Sequence, residues 1–422
     1  MALPNNVLQA VQTYQPGLNA YLLNSFALVN LSNKKFQNFQ DKEANLGDTV
    51  TWDLPPRFTT TNSLVAVFQN SEQRVQSLTC SESANVAYAF SAQQFLFNVK
   101  EYMEKFGKSA VLELGTKVET DIANKNILGK TYRFYGDGVT AINSIGQLAT
   151  MLSYFDNYGS AKNAKRVIIP DVNVPGIVNT MLNQFVVDDN KKLRMSWDLG
   201  RYADADFYKS NLLPIQYAGL IGNGNTTAKK QLTVVSTNDP TGLNITQITC
   251  TCDASFSGNT GVINANDLGY FVDQTSSALN VRYLTFIGHQ VSANQVQIRA
   301  TAGADASGTT VVLNISPGLC SQPTQNQNIN KNIVAGMKIQ MIPDHRAGMV
   351  WSGDSLFLAM PRLPEEIPFP TANKADPESG VSIRAYYGSL FGQNQRGFVN
   401  DCIWGSTLQS ENAMRICFPL NP

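Results

Sequence analysis

The sequence predicts an α+β fold in which a self-contained antiparallel β-barrel interrupts a mixed α/β body. Three observations carry this prediction. Residues 91–127 hold a single apolar stripe of helical period. Residues 221–345 contain no Glu and few other charges, and their short β-type runs are punctuated by Gly, Asn and Pro at hairpin-like intervals. Mixed apolar runs on both sides of that stretch belong to one body split by the insertion.

Composition narrows the class. The chain has 422 residues, 43% apolar, enough to bury a sizeable core. Charged residues make up only 15%, and Lys plus Arg (32) balance Asp plus Glu (32). Such a surface is wet but weakly charged, as in proteins that bury much of it against copies of themselves. No net charge or basic stretch is present to track a phosphate backbone. Met1 to Asn6 shows no basic segment followed by an apolar core, so no secretory signal is visible. The apolar runs are too short to span a bilayer, so no membrane partner is expected. The six cysteines are scattered without framework spacing and are expected to be reduced and partly buried.

Residues 1–46 mix short apolar pieces with Asn, Gln and Lys and read as an arm lying on something larger. Residues 47–90 read as a long extended excursion. Gly47 to Trp52 alternates, Pro55-Pro56 breaks the ladder, and β-type runs follow at 64–68 and 85–90. Trp52, Arg57, Phe58, Phe68 and Arg74 lie on this projection, where aromatics and arginine suit partner contact. Residues 91–130 read as one long helix. Phe95, Val99, Tyr102, Phe106, Ala110, Leu114, Val118 and Ile122 form its stripe, with a Ser91–Gln94 capping box at its start and Gly129 at its end. Its length is on the order of 50 Å, and Gly107 and Gly115 interrupt it as candidate flex points.

Residues 131–220 look α/β, with an amphipathic helix over Ile142, Ile145, Leu148, Leu152 and Phe155, a strand at Arg166 to Pro170, and Pro175 opening another helix. Residues 221–345 are the barrel insertion, with runs at 232–235, 282–287, 296–299 and 310–315. Residues 346–422 return to the body, with strands around 349–351, 356–360, 381–387 and 415–418.

Chemistry finds little footing, and no enzyme is expected. His289 and His345 are the two histidines, the second in a turn-like Ile342-Pro343-Asp344-His345-Arg346 run, and both read as structural. Gly107-Lys108-Ser109 and Gly129-Lys130-Thr131 end like a P-loop but lack its earlier glycine, and Gly222-Asn223-Gly224 has Thr227 at the third glycine of a dinucleotide fingerprint. Cys250-Thr251-Cys252 lacks nearby partners for a tetrahedral metal site. No cofactor is implied.

The order of parts resembles the major capsid proteins of tailed phages, the Hong Kong 97 type. There the parts are an N-arm (here 1–46), an E-loop (47–90), a spine helix (91–130), P-domain and first A-domain residues (131–220), and the rest of the A- and P-domains (346–422). The insertion at 221–345 resembles that of the short-tailed Salmonella phage coat protein, a six-stranded barrel. Local likenesses lie at Leu112-Glu113-Leu114 with Lys117-Val118, at Gly200 to Pro214, at Val350 to Pro361 and at Phe398 to Phe418. The resemblance implies self-assembly into hexamers and pentamers of an icosahedral shell around double-stranded DNA, held by non-specific contact. It also implies a separate scaffolding protein, a portal ring, a possible decoration protein, expansion of the procapsid, and residence in the virion after assembly in the host cytoplasm. The chain departs from crosslinking members of the fold, because residues 47–90 contain no lysine. A non-viral compartment shell of the same fold and a sugar-binding or adhesive β protein are the alternative readings.

Overall fold

The computed structural model describes residues 26–34, 47–58, 64–65, 68, 73–91, 108–158, 164–178, 200–202, 204–285, 288–363, 371–375, 382–389 and 395–420. These fall into two units. One comprises residues 1–53, 75–125 and 356–408, the other residues 54–74, 126–355 and 409–422.

The first unit is built on a sheet around one long strand, Gln395–Leu408. Glu82–Ser91 pairs antiparallel with it over ten residues, from Ser91 opposite Gln395 to Glu82 opposite Trp404. Ser382–Ser389 pairs with its other side, Thr371–Ala375 pairs with Ser382–Ser389, and Leu356–Ala359 pairs with its far end. Ser91 therefore ends a strand, which corrects the helix start read from the sequence. The alternation Ala84-Asn85-Val86-Ala87-Tyr88-Ala89 has period two and suits a ladder. The α-helix is described over Lys108–Ile122 and continues as a π-helix over Ala123–Leu128. Ala110, Leu114, Val118 and Ile122 are its buried stripe, while Phe95, Val99, Tyr102, Phe106, Gln94 and Gly107 lie outside the described residues. Thr49–Leu54 and Arg74–Thr79 pair as a two-stranded sheet, with Gly47 N–H donating to Cys80 O at 2.8 Å at its base. Leu64 and Val65, expected in a strand, sit in a bend.

The second unit holds a mixed sheet and a closed barrel. The mixed sheet runs, in spatial order, Phe134–Tyr135, Ala413–Phe418, His345–Ser352, Lys165–Pro170, Ala205–Ser210 and Arg201–Tyr202, with Ile215–Gln216 paired to the start of His345–Ser352. A bend at Asp344 ends the turn-like run, and His345 then opens an internal strand, which corrects the expected turn at His345 and Arg346; burial of almost every residue from His345 to Ser352 favours the ladder. Helix Ile145–Asp156 packs Leu148, Met151, Leu152 and Phe155 against Val167, Ile169, Val350 and Ile416 of this sheet. Its N-terminus carries a capping box in which Ser144 accepts from Gln147 N–H and Gln147 reaches back to Ser144. Pro175 lies in the first turn of the helical stretch that begins at Val174, behind a short 3-10 turn over Asp171–Asn173.

The barrel closes through six antiparallel strands in the order Ile245–Thr251, Thr310–Leu319, Gln297–Ala300, Leu268–Phe271, Lys338–Met341 and Gln231–Thr237. Leu232, Val234, Ile248, Cys250, Val311, Leu313, Ile298, Phe271 and Ile339 fill its interior. Arg282–Leu284, expected among the barrel strands, instead pairs with Val291–Gln295 in a separate two-stranded sheet.

Candidate interaction surface

The described residues of the two-stranded excursion at 47–79 divide their side chains between inward anchors and exposed apolar groups. Trp52 is half-buried against Phe357, with ring centroids 4.8 Å apart. Arg57 and Arg74 both place a guanidinium nitrogen 2.5 Å from Oε1 of Glu411, so these two candidate contact residues are committed to the chain's own carboxylate. Phe58 and Phe68 are 62% and 96% exposed, and Leu64, Val65 and Val75 are exposed with them. Five large apolar side chains exposed between residues 58 and 75 make this stretch the candidate interaction surface.

Gly115, expected as a flex point, is a packing glycine. A Cβ built there would run into the Phe26 ring. One turn on, the buried Glu119 carboxylate accepts from the backbone N–H groups of Leu28 (2.9 Å) and Val29 (3.0 Å). These are orphan donors at the start of the short helix Ala27–Leu31, where a carboxylate is doubly favourable. Burial pushes the Glu119 carboxyl up against the lowering pull of those hydrogen bonds. The arm read from residues 1–46 is therefore tied, at 26–31, to the helix by a residue that sequence reasoning missed. Its only signal was an acid on the apolar face, four residues after Gly115.

Arginines organise the second unit, and two of them, Arg133 and Arg415, did not stand out in the sequence. Glu411 receives Arg57 and Arg74 on its carboxylate and Arg133 on its backbone carbonyl. Arg133 is fully buried among tyrosines, its guanidinium 4.3 Å from the Tyr158 ring centroid and 5.8 Å from that of Tyr283. Arg415 is also fully buried and gathers the carbonyls that end the π-helix, donating to Leu128 O (2.7 Å) and Ile127 O (3.2 Å) and to Thr131 Oγ1 (3.1 Å). A cation at a helix C-terminus satisfies both the orphan carbonyls and the dipole.

His345 faces the same arginine. Its Nδ1–H donates to Pro343 O at 2.8 Å, leaving Nε2 as an acceptor 3.5 Å from Arg415 Nη1. Burial, with Arg415 beside it, pulls the imidazole pKa down to about 3, so the ring is neutral at physiological pH and structural. Asp267 lies at the barrel's base and accepts from Gln216 Nε2 (2.9 Å), Gly219 N–H (2.9 Å) and Asn264 N–H (2.8 Å). Burial pushes its carboxyl up to about 6 against those donors. Asp344 clasps the same linker through Ala218 N–H (2.7 Å) and Asn223 Nδ2 (2.8 Å). These polar groups fasten the barrel's entering and leaving chains.

The other motifs have structural roles. His289 occupies a left-handed turn position at φ 47°. Cys250 and Cys252 are buried free thiols, and burial pushes the Cys250 thiol up to about 12. Among the described residues no group of three or more His, Cys, Asp or Glu is placed to hold a metal ion. No described helix is long and apolar enough to cross a membrane.

Similar solved structures run along nearly the whole chain. A chain of Mycobacterium phage Che8 is 6% identical, with 93% of this chain and 90% of that chain covered at a TM-score of 0.46. A chain from the capsid structure of the cyanophage P-SCSP1u is 9% identical, with 90% and 85% covered at 0.39. One from the asymmetric unit of the bacteriophage PhiM1 mature capsid is 8% identical, with 91% and 85% covered at 0.40. No protein-family model matches the chain, and no curated protein matches it. At such identities and TM-scores these likenesses assign the chain neither a family nor an activity.

Proposed function

We propose that this chain is the major capsid protein of a short-tailed double-stranded DNA phage, with a Hong Kong 97 type fold and an inserted barrel. In this reading residues 1–46 are the N-arm, 47–90 the E-loop, the helical stretch that follows Ser91 and ends before 131 the spine helix, 221–345 the inserted domain, and the flanking stretches the P- and A-domains. The chain forms hexamers and pentamers of an icosahedral shell, assembled with a scaffolding protein and a portal ring and later expanded around DNA. A decoration protein is a possible further partner.

The observation that carries the reading is the pair of phenylalanines on the excursion. Phe58 and Phe68 are exposed while Trp52, Arg57 and Arg74 hold the same excursion to its own chain. An anchored loop with an uncovered apolar tip is built to be covered by another molecule. In a weakly charged, neutral chain whose titratable groups are structural, that molecule is best supplied by further copies of itself.

Electron microscopy of particles formed on co-expression with the phage's own scaffolding protein tests this. Closed, uniform icosahedral shells are expected. Only monomer and amorphous aggregate, with the scaffold shown to be folded, would overturn the reading.

A further inference from the structure

Among the described residues, the sheet of the first unit ends in two strands with one partner each. Glu82–Ser91 pairs only with Gln395–Leu408, and Thr371–Ala375 only with Ser382–Ser389, among the described residues. Helix Lys108–Ile122 touches both Glu82–Ser91 and Gln395–Leu408, so it lies across their face and not along the outer edge. Natural sheets blunt such edges with proline, lysine, a bulge or a very short strand. The Glu82–Ser91 edge has none of these: Glu82 is its only charge, it has no Pro or Lys, and its ten-residue ladder shows no register shift.

The strand count makes the two edges complementary. Four strands lie side by side in the order 371–375, 382–389, 395–408, 82–91, each antiparallel to the next. With an even number, the two outer strands run in opposite directions. The 371–375 strand of a second copy, brought beside the 82–91 edge in the same orientation, therefore continues the antiparallel alternation. The rows also match. Asn85, Asp401, Arg384 and Asn373 stand opposite one another across the four strands, as do Ala87, Val399, Tyr386 and Thr371. Directly opposite positions share a face, so positions 85, 87 and 89 of one copy meet 371 and 373 of the next on the same face.

We propose that neighbouring copies join head to tail through these edges, the Glu82–Ser91 strand of one copy pairing with the Thr371–Ala375 strand of the next. The contact is heterologous, and a rotation that closes it yields rings. This inference rests on the shell-subunit reading and names the backbone contact within its rings. Backbone hydrogen bonds supply the affinity, as in other strand additions, which fits an interface with few charges.

Cysteine crosslinking in purified particles tests it. Asn85→Cys, Ala87→Cys and Ala89→Cys are each combined with Thr371→Cys or Asn373→Cys in the full chain, assembled with scaffold and oxidised. Opposed antiparallel positions lie within disulfide reach, and the described native cysteines are buried, so background is low. At least one double variant is expected to give a non-reducing ladder ending at five and six subunits, at least tenfold above either single variant. Wild-type particles are also compared with free subunits by hydrogen exchange, which needs no substitution. Amides of 82–91 and 371–375 are expected to slow at least tenfold on assembly. Particles that form with no ladder above the singles and no added protection at either edge would overturn edge pairing and leave the shell-subunit reading standing. Failure of the wild-type chain to form particles would overturn both.

Discussion

The barrel and the open sheet solve the same problem in opposite ways. Six strands of the barrel close on themselves, so each backbone ladder finds its partner inside the domain and the core residues face one another. Among the described residues, the sheet around Gln395–Leu408 leaves two edges without a further strand, and the two-stranded excursion at 47–79 exposes Phe58 and Phe68. Both regions are rich in β structure and poor in charge. What separates them is closure: the barrel's ladder returns to its first strand, while among the described residues the sheet's outer strands each have one partner and the excursion leaves its phenylalanines exposed.

The largest expected effect lies at the centre of the open sheet. Arg384 and Asp401 stand opposite each other on adjacent strands and form a two-point ion pair, with Nε to Oδ1 at 3.0 Å and Nη2 to Oδ2 at 2.5 Å. Asp401→Ala leaves the arginine buried without its carboxylate and is expected to cost about 3–5 kcal/mol in urea unfolding. A barrel-core truncation, Leu313→Ala, is expected to cost about 2–5 kcal/mol by the same measurement. Deuterium exchange should show the loss confined to 231–341, because the barrel's core is its own.

Gly115→Ala is expected to destabilise by about 1–3 kcal/mol, since crowding against Phe26 outweighs the gain in helix propensity. Phe26→Leu in the same chain should recover part of the loss. If Gly115→Ala were instead stabilising in thermal melts, a flexing role would return in place of packing.

The pH prediction follows from His345. Its folded pKa, about 3, lies below the ordinary 6.5, so the unfolded chain binds more protons between those values. Stability is complete above about pH 6.5 and falls as the pH drops toward 3, by about 1–2 kcal/mol between pH 7 and 5. Asp267, raised from 3.8 to about 6, acts with the opposite sign, lending stability as the pH falls through its window. The two slopes oppose between about pH 4 and 6, so the measurement is the difference between wild type and His345→Gln. The variant should lose less stability on acidification.

The smallest effect on the subunit belongs to the exposed tip. Phe68→Ser is expected to change monomer stability by less than about 0.5 kcal/mol while sharply reducing particle yield. Equal yields with wild type would show that the tip is not covered on assembly.

Periodicity made the elements legible where each is local. The stripe through Ala110, Leu114, Val118 and Ile122 and the apolar face from Ile145 to Phe155 appear in the structure as buried helix faces. The thin charge of residues 221–345 announced a β insertion because a small barrel needs polar, uncharged outward positions between its apolar ones. What the sequence alone could not show was pairing. That Arg282–Leu284 stays out of the barrel while Lys338–Met341 completes it depends on register between residues a hundred apart. Nor could it show that Arg133 and Arg415 lie fully buried, since an isolated arginine reads as surface until the carbonyls and rings that receive it are brought together. By itself the sequence determined the helical stripe from Ala110 to Ile122, the helix face from Ile145 to Phe155, and that a weakly charged β insertion divides the body, because these follow from neighbours along the chain. Only the tertiary structure decided closure, open edges and the three-arginine node at Glu411, because hydrogen-bond partners and buried charges are settled by contacts between residues far apart in sequence.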